Sequence, residues 1–154
     1  MAGDSFPEIV AAGMREIDNT AQAFGIDIVE VGPGRASLCM TVRDDMLNSH
    51  ATCNGGLIFT LADTAFAYSC NSDNKTTVAA HCSISFVSPG RQGEVLTARS
   101  EERFRQGRNS IYDVTVTGED DRTVAVFQGT ARQVRGESVP GLDALRGETH
   151  EQHC

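Results

Sequence analysis

The stretch Thr52–Cys70, TCNGGLIFTLADTAFAYSC, decides how the rest of the chain is read. From Gly55 to Ser69 it is rich in Ala and Leu and apolar nearly all round, which predicts a helix packed on most sides. Asn71-Ser-Asp-Asn-Lys75 ends it. Asp63 stands in the middle, where a lone carboxylate is costly to bury unless it is paired or useful. Its neighbours three and four positions away, Phe59, Thr60, Phe66 and Ala67, bring no positive charge. Two readings stand side by side. Asp63 faces a wet interface or bonds to a hydroxyl such as that of Thr60 or Thr64. Alternatively it is a general base or nucleophile in an apolar pocket, where desolvation raises its pKa.

Outward from this helix the pattern changes to strands. Before it, Ile26–Val31 and Arg35–Val42 flank the turn Gly32-Pro-Gly34, and Ala36, Leu38, Met40 and Val42 alternate with polar or small residues as in a half-buried strand. The polar loop RDDMLNSHATC leads into the helix. After it come four strands, Thr76–Ser88, Glu94–Arg105, Asn109–Thr117 and Thr123–Val134. Their short Gly-rich links predict antiparallel hairpins. At the front, Ser5-Phe-Pro-Glu8 carries the signature of a helix start, and Val10, Met14, Ile17 and Ala21 share one helical face. This order predicts an α+β fold with an antiparallel sheet around one long central helix. A single domain is expected over residues 1–134, with a loose tail over 135–154.

The totals narrow the function. A chain of 154 residues with 40% hydrophobic and 22% charged residues reads as one soluble domain. A net charge of −8 argues against general nucleic-acid binding, which needs a broad basic field. Met1–Asp4 shows no basic region followed by an apolar run, so no signal peptide is expected. Leu57–Tyr68 is too short to span a bilayer. Five cysteines, Cys39, Cys53, Cys70, Cys82 and Cys154, form no CxxC and predict free thiols in a cytoplasmic protein.

Asn54-Gly55-Gly56 opens the central helix. Glycines there expose backbone N–H groups to a ligand, and the helix dipole adds partial positive charge, so the turn suits an oxyanion. It is equally what a plain N-cap looks like. Gly55 and Asp63 are eight residues apart, about 12 Å along a helix. They cannot act on one carbonyl within one chain. Two antiparallel helices across a two-fold axis would bring each Asp63 near the other chain's Gly55.

The segments LNSHATCNGGLIFTLADTAFAYSCNS, ISFVSPGRQGEVLTA and YDVTV…TVAVFQGTAR resemble hotdog-fold acyl-CoA thioesterases of the PaaI group, associated with phenylacetate degradation. The similarity covers roughly Phe24 to Arg132. It implies a dimer with a continuous sheet and shared active sites, usually paired into a tetramer, acting on an acyl-CoA such as phenylacetyl-CoA without a cofactor. It implies Asp63 as the catalytic carboxylate, Gly55 as the oxyanion-binding amide and Asn48 as the polar loop residue, with Gly56 beside the substrate. One departure stands out: the family usually has His where this chain has Asn54, and asparagine can donate a hydrogen bond but cannot titrate. Arg103-Phe-Arg105-Gln-Gly-Arg108 contains no acid, and Arg105 and Arg108 together with Arg91 are candidates for the coenzyme A phosphates. The bland reading of that run is a solvated hairpin tip.

Other chemistries compete. Cys53 at the helix start, with His50 or His81 as base, could make an acyl transferase. His50, Cys53, His81 and Cys82 match no zinc-finger spacing. A hotdog dehydratase would want a histidine in the site. A non-catalytic acyl-CoA-binding module has no reason to bury Asp63.

Overall fold

A computed structural model describes residues 3–151, with side chains through residue 146. Cys154 and the last three positions of the expected tail lie outside the described residues. Two short helices, α1 (Phe6–Ile17) and α2 (Asn19–Ala23), precede strands β1 (Asp27–Gly32) and β2 (Arg35–Thr41). The central helix α3 spans Gly55–Cys70. Strands β3 (Lys75–Phe86), β4 (Val95–Gln106), β5 (Asn109–Thr117) and β6 (Thr123–Glu137) follow, and helix α4 covers Leu142–Glu151. The six strands form one antiparallel sheet in the order β1-β2-β4-β5-β6-β3.

This order corrects one expectation. The link Pro89–Gly93 does not make a hairpin, because β3 pairs with β6 and β4 with β2 and β5. Residues 87–94 instead cross between strands three places apart in the sheet, about 14 Å if it were flat. Turn chemistry is local, whereas pairing is decided by which strands cover α3. Leu38, Met40, Leu96, Ala98, Tyr112, Val114 and Phe127 meet Ile58, Leu61, Ala62, Ala65 and Phe66 of α3 in one core cluster. Ser69 and Ser100 share a buried hydroxyl contact of 2.6 Å that ties α3 to β4.

The front helix also departs from its reading. Ser5 is the N-cap position, but its hydroxyl donates to the Glu8 carboxylate at 3.0 Å rather than capping the backbone. Ile17 is 64% exposed because Asp18 interrupts the helix and caps α2, accepting from the Ala21 N–H at 2.9 Å. At the far end, β6 runs three residues beyond Val134. Ser138 then donates to Asn71 at 2.6 Å, and the Val139 N–H to Asn74 at 2.8 Å, beside the end of α3.

Gly129 on β6 lets the sheet close on α3. A Cβ there would lie 2.7 Å from Cζ of Phe66. That ring is itself packed against Tyr112 and Phe127, with centroids 5.6 and 5.8 Å away, and has nowhere to go. Gly129→Ala is therefore expected to destabilise the fold by about 1–3 kcal/mol, read as a lower urea midpoint with unchanged slope. An unchanged midpoint would mean that the β6–α3 contact can relax.

Candidate active site

Along α3 the sheet leaves one line of residues uncovered. Gly56, Thr60, Asp63 and Ala67, at spacings of four, three and four, are exposed or half-buried; Gly55, Leu57 and Phe59 near the start of the helix are half-buried too, and the rest of the helix is in the core. Neither hydroxyl next to Asp63 serves it: Thr60 Oγ1 donates to the Gly56 carbonyl at 2.9 Å and Thr64 Oγ1 to the Thr60 carbonyl at 2.6 Å. Among the described residues nothing hydrogen-bonds or ion-pairs with the Asp63 carboxylate. Burial pushes its pKa above the ordinary carboxylate value. The Cys82 thiol is pushed up by burial and further by Asp63, which puts that carboxylate beside β3. β3 is the edge of the sheet, 12 residues long and mostly exposed.

The start of α3 is built differently. Asn54 is its N-cap, and its Oδ1 accepts from the Gly56 N–H at 2.8 Å. The Asn54 carbonyl takes the N–H groups of Leu57 and Ile58. The Gly55 N–H is thus left without an acceptor among the described residues, at the positive end of the helix dipole. Phe86 explains the glycine: a Cβ on residue 55 would meet its ring at 3.1 Å. The expected pair of glycine amides is reduced to one, since Gly56 is occupied by the cap. Asn54 spends its side-chain oxygen on capping, a job that needs no titrating group.

Gly55 opens into a cleft of about 360 Å³, lined also by Asn48, Thr52, Ile58, Phe86 and Pro89. Asn48 is at its wall, but its side chain is engaged with its own loop. Oδ1 accepts from the N–H groups of His50 (2.9 Å) and Thr52 (3.2 Å), and Nδ2 donates to Thr52 Oγ1 at 3.1 Å. Asp63 does not line this cleft. It lies two turns further along, about 12 Å away on the axis.

The arginines separate into two groups. Arg91 is exposed, bridges to Thr52, and its guanidinium has no partner among the described residues. Arg105 acts electrostatically on Cys70, at the other end of α3 and about 22 Å from Gly55 along the helix. The run around it is not free of acids in space. Arg105 Nε pairs with Glu102 at 2.6 Å and Nη2 donates to Tyr112 at 3.3 Å, while Arg103 pairs with Asp113 at 3.1 Å. These acids come from the preceding residue and from the neighbouring strand, so a window starting at Arg103 could not show them. Arg108, at the same hairpin, keeps an unpaired guanidinium among the described residues. One chain therefore does not gather Arg91, Arg105 and Arg108 around one ligand.

Cys53 does not suit nucleophilic attack. Burial and then the Glu94 charge push its thiol up to about 11, and its Sγ faces the Asn54 carbonyl at 3.7 Å. Among the described residues no group of three or more His, Cys, Asp or Glu side chains could hold a metal ion. Reading the sequence passed over Phe86, Val87 and Pro89 as cleft walls. Their signals are that SFVSPG ends a strand and that it lies in one of the segments that carry the family resemblance.

An antiparallel sheet curled around one apolar helix is the hotdog architecture, a fold used by thioester hydrolases. Comparison with known proteins bears on this directly. Residues 50–125 match the model of the thioesterase superfamily. The chain is 43% identical over 126 residues to the acyl-coenzyme A thioesterase PaaI of Escherichia coli (strain K12), covering 82% of this chain and 90% of that protein. The solved structure of the E. coli PaaI protein from the phenylacetic acid degradation operon superposes with a TM-score of 0.83 at 40% identity, covering 86% of this chain and 99% of that one. A Streptococcus mutans UA159 protein solved bound to acetyl CoA superposes with a TM-score of 0.70 at 26% identity, over 73% of this chain and 90% of that one. The chain belongs to the thioesterase superfamily, in its PaaI group of hotdog-fold enzymes, and is a thioester hydrolase.

Proposed function

We propose that the protein hydrolyses aryl-acetyl-CoA thioesters, such as phenylacetyl-CoA or a ring-hydroxylated derivative, at sites shared between two chains. One observation carries this reading. A single helix presents an N–H at Gly55 and a carboxylate at Asp63, both without partners among the described residues and too far apart to meet on one carbonyl. A two-fold axis perpendicular to α3 sets two such helices antiparallel and pairs each group with the other chain's complement. The long exposed β3 edge, with Val78 46% and Phe86 54% exposed, is the kind of edge that proteins cover, and a second β3 would cover it. Pairing of two such dimers gives the homotetramer the family favours.

In this site the Gly55 N–H and the dipole behind it stabilise the negative charge that develops on the thioester oxygen. Asp63 of the partner either attacks the carbonyl carbon, giving an acyl-enzyme anhydride that water then opens, or takes a proton from the attacking water. In both routes the carbon–sulfur bond breaks and coenzyme A leaves as thiolate. A thiol of pKa about 8.5 needs little acid assistance to leave, so Asn54 in place of a histidine does not block the reaction. No cofactor enters. The apolar walls Ile58, Phe86, Val87 and Pro89 suit a flat hydrocarbon group. The guanidiniums of Arg91 from one chain and Arg108 from the other, unpaired among the described residues, suit the nucleotide phosphates, with Arg105 held by Glu102 behind them. The four cysteines of the described residues are free thiols, which suits the reducing cytoplasm, where acyl-CoA is at hand.

Release of free thiol from a panel of acyl-CoAs tests this reading. Phenylacetyl-CoA and its hydroxylated forms are expected to give kcat/KM at least about tenfold above acetyl-CoA, since each buried methylene-sized group contributes about 0.8 kcal/mol. Binding of these thioesters without thiol release would instead identify an acyl-CoA-binding module. Hydrolysis favouring linear acyl groups would overturn the aryl assignment alone.

A further inference from the structure

The crossover that walls the cleft bonds through its backbone to Val42 and Val124, Ser88 donates to the Thr123 carbonyl and Gln92 to Asp44, and one arginine reaches both of its ends from outside. Arg122, in the β5–β6 turn, has a side chain only 19% exposed. Its Nη2 donates to the Pro89 carbonyl at 2.9 Å and to Glu94 Oε1 at 2.8 Å. Nε donates to Ser88 Oγ at 3.1 Å and Nη1 to Asp120 at 2.7 Å. Glu94 is 8% exposed and also accepts from the Arg91 N–H at 2.7 Å, so the guanidinium and carboxylate together grip both ends of residues 88–94. The turn backbone closes over this pair at Gly118, where a Cβ would come within 2.9 Å of Glu94 Oε2 and 3.0 Å of Arg122 Nη2.

The gripped residues continue straight to the start of α3. Ser88 and Pro89 line the cleft. The next carbonyl, that of Gly90, accepts from the Cys53 N–H at 2.9 Å, and Arg91 bridges to Thr52. Cys53 is followed by the N-cap Asn54, whose own N–H donates to the Met46 carbonyl at 2.7 Å, and then by Gly55. A surface ion pair whose only business was Glu94 would need one acceptor and contribute little. Arg122 serves four acceptors on two segments, which is what a planar five-donor fork provides and a lysine does not.

We propose that Arg122 is a positioning residue for thioester cleavage: by holding the 88–94 crossover it sets where Gly55 presents its N–H to the substrate carbonyl. This rests on the reading of Gly55 as oxyanion donor. Arg122 itself touches neither substrate nor reacting atoms. It acts because a misplacement of about 1 Å at a reacting centre can cost up to about 100-fold in rate.

A double-mutant cycle tests it, using Arg122→Ala, Gly55→Pro and the double variant in full-length protein assayed by thiol release. Arg122→Ala is expected to lower kcat about tenfold while KM moves less than about threefold. In the Gly55→Pro background the same substitution is expected to lower kcat less than about twofold, because the amide it positions is gone. Arg122→Lys, which keeps the charge facing Glu94 and loses the fork, serves if the alanine variant does not fold. Its smaller loss is expected to vanish in the same background. Equal losses in both backgrounds, or none in the parent, would overturn the positioning role while leaving the Gly55 reading intact. Normal turnover by Gly55→Pro alone would overturn the Gly55 reading, and the role of Arg122 with it.

Discussion

Asp63→Asn is expected to lower kcat by about 10²–10⁴-fold, the range for losing a positioned base or nucleophile, with the fold retained. The amide is nearly the same shape, and no group among the described residues relies on the carboxylate for a hydrogen bond. Stability gives an independent check with a definite sign. The folded-state pKa of Asp63 is raised by burial, so the charged form is disfavoured in the native state. That penalty is absent below the unfolded-state pKa, grows as pH rises through the window up to the folded-state value, and is fully present above it. The parent should therefore lose stability across this window relative to Asp63→Asn, and the variant should have the higher Tm at neutral pH. A variant that keeps near-normal turnover would make Asp63 a structural residue.

Gly55→Pro is expected to cost about 10²–10³-fold in kcat, the effect of removing one oxyanion donor. Proline deletes the one N–H at issue. Residue 55 is the first residue of α3, a position where proline is favoured because that N–H has no partner within the helix. Asn54 already has φ −56° and ψ 132°, the extended conformation that a residue before proline adopts. The added Cβ presses on Phe86, whose ring is half exposed in the single chain. Circular dichroism and the urea midpoint should stay near those of the parent. Loss of folding together with activity would indicate that Phe86 cannot move, and a Phe86→Ala background would then separate the two effects.

What could be read from the residues, and what could not, follows from the range of the forces involved. Helix α3 was legible because its signals are local: an apolar run, a capping Asn54 and a polar exit at Asn71. Strand β5 was read with its observed bounds, Asn109–Thr117, because tight turns fence it on both sides. The pairing of β3 with β6 was not legible, since the residues of Pro89–Gly93 that suit a hairpin suit a crossing equally well. The same limit applies at the site. That Thr60 and Thr64 bond to helix carbonyls, and so leave Asp63 alone, depends on rotamers that no spacing reveals. Arg103 and Arg105 looked free because their acids, Asp113 and Glu102, lie across a strand or just outside the window. Arg122 gave no signal beyond being one basic residue in an acidic turn. The separation of Gly55 from Asp63 was legible at once, because helix rise is the same in every helix.

That separation is the centre of the account, and one measurement addresses it. Asp63→Asn and Gly55→Pro chains, each nearly inactive alone, are unfolded together and refolded as an equal mixture, and thiol release is compared with that of the parent. With random pairing about half the dimers are mixed, and each mixed dimer holds one site with both Gly55 and Asp63 intact and one with neither. Activity is expected to return to about a quarter of the parent value. If native mass measurements show mixed dimers while the mixture stays as inactive as its components, each site is built within one chain and the shared-site account is contradicted.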